Sequence, residues 1–313
     1  MPSDILLINP VLPSLDRQLA ERYTLHRRYG QADPAAHLRE IGARIGGVVT
    51  GGASGIRNAV MDQLPNLKIV AINGIGTDAV DLAYARERGL HVSTTPGVLT
   101  DDVADLAIGL LLSVCRGLCQ GDAQVRAGQW GKAAALPLAR KFSGMRIGIV
   151  GLGRVGRAIA ARAAAFGCPI AYTDLRELDG VPYRFVADLA QLAADSDALV
   201  LAASADNAER IIDATVLDAL GPDGYLINVA RGKLVDEPAL VRALAERRIA
   251  GAGLDVFVDE PNVPPELFAL PNVVLQPHRA SATVQTREAM GAIVLDSLAA
   301  SFAGRRPATS VTP

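Results

Sequence analysis

A chain of 313 residues has room for about two domains of ~150 residues, each with a core of its own. Half of it is hydrophobic and a fifth is charged, which excludes disorder as a main theme. With 31 Lys+Arg against 33 Asp+Glu, the net charge of −2 gives no general attraction to nucleic acid or to an anionic membrane, so any anionic ligand must be held locally.

Met1-Pro2-Ser3-Asp4 leads into a short apolar run without the basic flank and long apolar stretch of a signal peptide. The first ninety-odd residues then alternate apolar runs with helix-period stretches, the pattern of parallel strands joined by helical crossovers. Ile5–Asn9, Gly47–Thr50, Lys68–Ile72 and His91–Ser93 are the expected strands. Leu15–Arg22, Ala35–Ala43, Arg57–Gln63 and Asp78–Arg88 are the expected helices, the last closed by Gly89. His26 and His37 fall in polar segments expected to be exposed, and His91 opens a strand as a structural imidazole.

Thr95-Pro96-Gly97 signals a turn, and Thr100-Asp101-Asp102 caps an apolar helix expected to run to about Cys119. The chain is expected to cross between domains here. Its most apolar stretch, Leu106–Cys115, is bounded by Asp105 and Arg116 and is too short to span a bilayer. Cys115 and Cys119 lie one helical turn apart and are expected in the core. With Cys168 they make three cysteines, too few and too scattered for a disulfide framework, which fits a reducing cytoplasm.

A second series of strands begins at Arg146 and continues with Ile170–Thr173, Ala198–Leu201, Tyr225–Asn228, Gly251–Asp255 and Val273–Leu275, the six strands of a doubly wound sheet. The last helix, about Val284–Phe302, carries Met290, Ile293, Val294 and Leu298 and is expected to return to the first domain. The expectation is an α/β chain of two Rossmann-like domains. A dinucleotide-binding domain, 98–283, is inserted into a flavodoxin-like substrate domain made of 1–97 and 284–313.

Gly151-Leu152-Gly153-Arg154-Val155-Gly156 directly follows the strand Ile147–Val150 and opens a helix. Gly151 permits the tight turn, Gly153 lets a pyrophosphate approach the backbone, and Gly156 lets helix and strand pack closely. The next strand ends at Asp174, where an acid accepts hydrogen bonds from the adenosine ribose. That carboxylate favours NAD(H), while Arg176, two residues on, leaves NADP(H) possible.

Three further residues follow strand ends, the edge where open α/β sheets bind ligands. Arg231 lies in Asn228-Val229-Ala230-Arg231-Gly232, Glu260 in the segment Asp255–Pro261, and His278 after Val273–Pro277. Each alone has a bland reading, as an ion-pair partner, an exposed acid or a structural imidazole. Together they supply a cation for a substrate, a proton donor, and a carboxylate to keep that donor charged.

These motifs, with Asn73-Gly74-Ile75-Gly76-Thr77-Asp78 and Gly253-Leu254-Asp255-Val256-Phe257, resemble the D-isomer-specific 2-hydroxyacid dehydrogenases over essentially the whole length. The branch most similar is that of glyoxylate/hydroxypyruvate and 2-ketogluconate reductases. The resemblance implies reduction of a small 2-keto acid to the D-2-hydroxy acid by a homodimer, with Arg231, Glu260 and His278 as the catalytic trio. It implies that the backbone of Gly74, Ile75 and Gly76 receives the substrate carboxylate with Arg231. It places Arg154 and Val155 over the pyrophosphate, Asp255 on the nicotinamide carboxamide, and Val103 among the cofactor contacts.

The chain departs from the family pattern at Arg279-Ala280-Ser281-Ala282, which sets a long cation beside His278, and at Ala202-Ala203-Ser204-Ala205. A role as an NAD-binding corepressor-like interaction protein is the alternative of another class. Ala123–Lys141, around Trp130, is the segment expected to serve as a dimer arm.

Overall fold

The computed structural model describes residues 3–204 and 209–313. The chain divides into two compact units, Met1–Leu99 with Ala282–Pro313, and Thr100–Ser281.

The first unit contains β1 (Asp4–Leu7), α1 (Pro13–Arg22), β2 (Thr24–Arg27), α2 (Pro34–Ile41), β3 (Ile45–Gly51), α3 (Asn58–Met61), β4 (Ile69–Asn73), α4 (Leu82–Glu87) and β5 (His91–Ser93). The second contains α5 (Thr100–Arg116), α6 (Leu118–Arg126), β6 (Ile147–Val150), α7 (Arg154–Ala165), β7 (Ile170–Thr173), β8 (Arg184–Phe185), α8 (Leu189–Ala194), β9 (Ala198–Leu201), α9 (Ala214–Leu220), β10 (Tyr225–Asn228), α10 (Glu237–Ala245), β11 (Gly251–Leu254) and β12 (Val273–Leu275). The last helix, α11 (Val284–Phe302), belongs to the first unit.

Both sheets are parallel. The first has the order β2-β1-β3-β4-β5, the flavodoxin-like order, and the second β12-β11-β10-β9-β6-β7-β8, the doubly wound dinucleotide order with one strand added. Because a parallel sheet is covered on both faces, its strands are nearly continuous apolar runs. Ile147–Val150, Ala198–Leu201 and Tyr225–Asn228 are buried at every position. The helices start where the sequence supplies caps: Asp33, Asp81, Asp188, Asp213 and Asp236 each accept a backbone N–H from the first turn that follows.

Four expectations need correction. Each sheet has one more strand than the apolar pattern shows. Thr24–Arg27 is too polar to register and pairs at one edge with β1, and Arg184–Phe185 is only two residues long. The helix expected to reach Cys119 stops at Arg116, where Gly117 takes the left-handed conformation (φ 60°) and redirects the chain into α6. Cys119 is therefore exposed, whereas Cys115 and Cys168 are buried. His26 is largely enclosed, its Nε2 2.8 Å from Asp4 Oδ2, because β2 turns it toward β1.

As expected, α11 closes the first unit: Val294, Leu295 and Leu298 share a cluster with Ile5, Leu7, Val49, Ile69 and Ala71. Among the described residues, no helix is long and apolar enough to cross a membrane.

Candidate active site

The glycine turn is built by close contacts. Gly151 has φ +88°, and a side chain there would meet the Ala203 backbone; a Cβ on Gly156 would lie 2.1 Å from the carbonyl oxygen of Gly151. Neither position admits a larger residue. Gly153 differs, since a Cβ there would enter open space. It stands at the N-terminus of α7, where no described side chain caps the first-turn N–H groups. Open space in front of uncapped N–H groups and a positive helix end suits a pyrophosphate. Arg154 and Val155 form that first turn.

Asp174 braces the turn from the next strand: one carboxylate oxygen accepts the Leu152 N–H at 2.9 Å and the other the Leu175 N–H at 2.8 Å. Beyond it, Leu175 and Arg176 are exposed. Val103, in the first turn of α5, is buried. Of the quartet Ala202–Ala205, Ala203 packs against Gly151, and Ala205 lies outside the described residues.

Three loops at the carboxyl edge of the second sheet carry the candidate trio. After β10, the Asn228 side chain accepts the Ala230 N–H at 3.0 Å and donates to the Arg231 carbonyl at 2.9 Å, so it clamps the loop on both sides of the arginine's backbone. Gly232 then packs directly on the next loop, where an added Cβ would lie 2.0 Å from the Phe257 carbonyl carbon. That approach brings Arg231 beside Glu260, and the guanidinium charge is one of the forces lowering the Glu260 pKa.

Glu260 uses both carboxylate oxygens: Oε1 accepts the Phe257 N–H at 3.0 Å, and Oε2 lies 2.6 Å from His278 Nδ1. Burial raises the carboxyl's pKa, but the hydrogen bonds from His278 and Phe257 and the charges of His278 and Arg231 outweigh it and hold Glu260 below its ordinary value. The pair is part-buried, with 23 % of the Glu260 side chain and 39 % of the His278 side chain exposed. Glu237, at the start of α10, accepts the Val258 N–H at 3.1 Å and steadies the same loop; burial pushes its own pKa up.

His278 has φ +47°, an unusual conformation for a residue with a Cβ. Asp255 holds it there. The Asp255 carbonyl accepts the His278 N–H at 2.8 Å, while its two carboxylate oxygens accept the N–H groups of Arg279 (2.8 Å) and Ala280 (2.9 Å). Asp255 is fully buried, and desolvation raises its pKa against those two hydrogen bonds. The structure thus brings Arg231, Glu260 and His278 into adjoining loops and shows Asp255 bracing one of them. Sequence reasoning missed Asn228, Glu237 and the Phe257 N–H as supports. Only Asn228, inside a quoted motif, gave a signal; a backbone N–H carries none.

In the first unit, Gly74, Ile75 and Gly76 follow β4, and Gly52 packs against Gly76, with a Cβ on Gly52 falling 3.2 Å from the Gly76 carbonyl oxygen. Ile75 is exposed. The segment lies at the carboxyl edge of its own sheet.

Residues 108–280 match the model for the D-isomer specific 2-hydroxyacid dehydrogenase NAD-binding domain. The chain belongs to that family. It is 46 % identical to a 2-ketogluconate reductase of Gluconobacter oxydans over 99 % of this chain and 98 % of the relative. It is 44 % identical to a glyoxylate/hydroxypyruvate reductase of Arabidopsis thaliana over 98 % of each. Among solved structures, an NADPH-dependent glyoxylate/hydroxypyruvate reductase of Sinorhizobium meliloti, in complex with NADP and malonate, superposes with a TM-score of 0.92 at 42 % identity, covering 99 % of this chain and 97 % of that one. The protein is accordingly an oxidoreductase of 2-keto and 2-hydroxy acids that uses a nicotinamide cofactor.

Proposed function

We propose that the protein reduces glyoxylate, hydroxypyruvate or a similar small 2-keto acid to the D-2-hydroxy acid, with His278 as the proton donor. The observation that carries this reading is the 2.6 Å contact between His278 Nδ1 and a Glu260 carboxylate whose other oxygen is already fixed by the Phe257 N–H. Glu260 accepts from Nδ1, so Nε2 is the nitrogen free to serve a substrate. A carboxylate kept below its ordinary pKa stabilises the imidazolium, and the imidazolium hands its Nε2 proton to the developing alkoxide. Arg231 polarises the keto oxygen and takes part in holding the carboxylate, where a planar, permanently charged donor is suited to both. The N–H groups of Gly74, Ile75 and Gly76 receive that carboxylate.

When bound, the nicotinamide supplies or accepts the hydride. Arg154 and Val155, at the open N-terminus of α7, would hold its pyrophosphate, Asp174 the adenosine ribose and Asp255 the nicotinamide carboxamide, with Val103 a further cofactor contact. NAD(H) is the preferred form, because a 2′-phosphate beside Asp174 meets a like charge. Were NADP(H) used instead, the exposed Arg176 is the group that would pair with its 2′-phosphate.

A second reading, reduction of 2-ketogluconate, is favoured by the exposed Arg279 next to His278, a long donor suited to a polyhydroxylated tail, and by the likeness to the Gluconobacter enzyme. The working form is a cytoplasmic homodimer. Trp130, Leu136 and Leu138 are exposed at 80 %, 43 % and 103 % in the arm 123–141, which supports that assignment.

The test is His278→Asn. Turnover is expected to fall about 10²- to 10⁴-fold while NADH binding is kept; near wild-type turnover would remove the histidine from the chemistry. Sedimentation as a monomer at micromolar concentration would remove the dimer.

A further inference from the structure

The first unit holds a cation where its fold calls for an apolar residue. On α11, Met290, Gly291, Val294, Leu295 and Leu298 are buried, and at 100° per residue Arg287 sits in the middle of that buried arc, one turn before Met290 and Gly291. It is half-buried, and burial alone pushes its guanidinium pKa down. No described residue pairs with it or hydrogen-bonds its side chain. It also stands in the first turn of a helix, where the dipole disfavours a positive charge. A half-buried cation with no described partner at a positive helix end is unfavourable, and such violations gather at functional positions.

Its level in the fold can be fixed. Leu298 and Phe302 lie against Gly47 and Gly46, at the amino end of β3, so α11 runs toward its N-terminus along the strands' direction. Eleven residues of helix at ~1.5 Å each carry Arg287 about 16 Å from Leu298. Five residues of strand at ~3.3 Å carry β3 about 16 Å from Gly47, to Gly52. Gly51 pairs with Asn73, so Arg287 stands level with Gly74.

Two unsatisfied groups lie at that level. Along β4, Ile69 and Ala71 pack with α11 and Val70 and Ile72 on the opposite face, so Asn73 faces the helix side. Ala71 pairs with Ser93, and the Thr95 N–H donates to the Gly74 carbonyl at 2.8 Å, so Thr95 comes opposite Asn73 on that same side. Thr95 is fully buried, and neither its Oγ1 nor Asn73 Oδ1 has a hydrogen-bond partner. Buried polar groups without a protein partner are rare, and both of these have hydrogen-bonding capacity left for a ligand or a bridging water.

We propose that Arg287, with Thr95 and Asn73, forms a polar pocket under the Gly74–Gly76 segment that selects the carboxylate of the substrate and supplies its positive charge in the first unit. The proposal rests on the reading of Gly74–Gly76 as the carboxylate cradle. Arg287 acts here as a specificity-determining residue: its charge lowers the cost of bringing an anion to the backbone N–H groups, and Thr95 donates into the same space. The hydride and proton steps remain with the second unit, so the effect belongs in KM and not in kcat.

Arg287→Met tests this. The expected result is a KM for glyoxylate raised about tenfold or more with kcat within about threefold, and a melting temperature unchanged or higher, because a strained cation has been replaced by an apolar side chain of similar length. Arg287→Lys keeps the charge and is expected to recover most of the loss. Oxalate, titrated calorimetrically into the NAD-saturated enzyme, is expected to bind the Met variant about tenfold more weakly. Unchanged KM and oxalate affinity would overturn the proposal, and so would a lowered melting temperature with kcat reduced at constant KM, the mark of a merely structural arginine. Wild-type enzyme that binds oxalate but reduces no 2-keto acid would sink the functional reading while leaving the pocket standing.

Discussion

The two sheets meet the same problem, a row of loops at the carboxyl ends of parallel strands, and solve it in opposite ways. In the second unit the polar groups at that edge are already engaged: Asn228, Asp255, Glu260 and Asp174 each use both ends of their side chains on backbone or on His278. In the first unit Asn73, Thr95 and Arg287 reach the corresponding edge without described side-chain partners. A saturated edge holds reactive groups at fixed angles before any ligand arrives, which is what proton transfer needs. An unsaturated edge has hydrogen-bonding capacity left for a ligand, which is what recognition needs. On the proposed reading, proton transfer rests on the first kind of edge, and the first unit's part in recognising the carboxylate rests on the second.

The largest way to break this division, after removal of His278 itself, is to unsettle the loop that bears it. Asp255→Asn places an NH₂ group opposite one of the two N–H donors of Arg279 and Ala280, so one hydrogen bond is lost and the left-handed turn at His278 relaxes. The expected result is a fall in kcat of about a hundredfold, the scale set by a misplacement near 1 Å, with about 1–3 kcal/mol of stability lost. Steady-state kinetics beside denaturant unfolding would check it. Full activity would show that the second unit's edge is less rigid than its hydrogen bonds suggest.

Asp174→Ser sharpens the comparison at the cofactor end. It removes one charge next to the ribose, and the preference for NADH over NADPH is expected to narrow or invert by about ten- to a hundredfold in kcat/KM. Arg176→Ala, measured alongside, separates the two groups. A wild-type preference for NADPH that collapses in Arg176→Ala would show that the arginine decides.

Glu260→Gln has the smallest expected effect on the maximum rate and the clearest effect on its pH dependence. Glu260 lies below its ordinary pKa and stays anionic through neutral pH, where it favours the protonated imidazole. Without that charge the proton donor loses its anionic partner, so the falling limb of the pH–rate profile for reduction is expected to move to lower pH. Glu260 also contributes stability that is full above its unfolded-state pKa and is lost as pH falls through its depressed folded pKa, and that contribution is expected to be absent in the same variant. An unmoved profile would mean that the carboxylate does not govern the proton.

Much of the second unit was legible in the sequence because its chemistry is carried by rare residue types at strand ends. The glycine turn, Asp174, Arg231, Glu260 and His278 each follow an apolar strand, and the doubly wound order dictates where such positions gather. What escaped was carried by backbone or by context. Thr24–Arg27 is a strand because β1 offers an edge, not because its residues alternate. Gly117 ends α5 through its own left-handed conformation, which the apolar run up to Cys115 gives no hint of. On α11 the apolar positions Met290, Val294 and Leu298 mark the buried stripe, but Ile293 falls at its margin, and the charge of Arg287 hid the fact that the stripe continues for one more turn. A charged residue is ordinarily assigned to solvent, so the same rule that identifies a core conceals an arginine placed within it.

The most direct measurement is the oxidation of NADH and NADPH by the wild-type protein with glyoxylate, hydroxypyruvate, pyruvate and 2-ketogluconate as acceptors, with the configuration of each chiral product determined. Rapid NADH oxidation with glyoxylate or hydroxypyruvate, and D-glycerate formed from the latter, is the result expected from the reading of His278 as donor and Gly74–Gly76 as carboxylate cradle. Reduction of none of the four acids with either cofactor, or formation of L-glycerate, would contradict it.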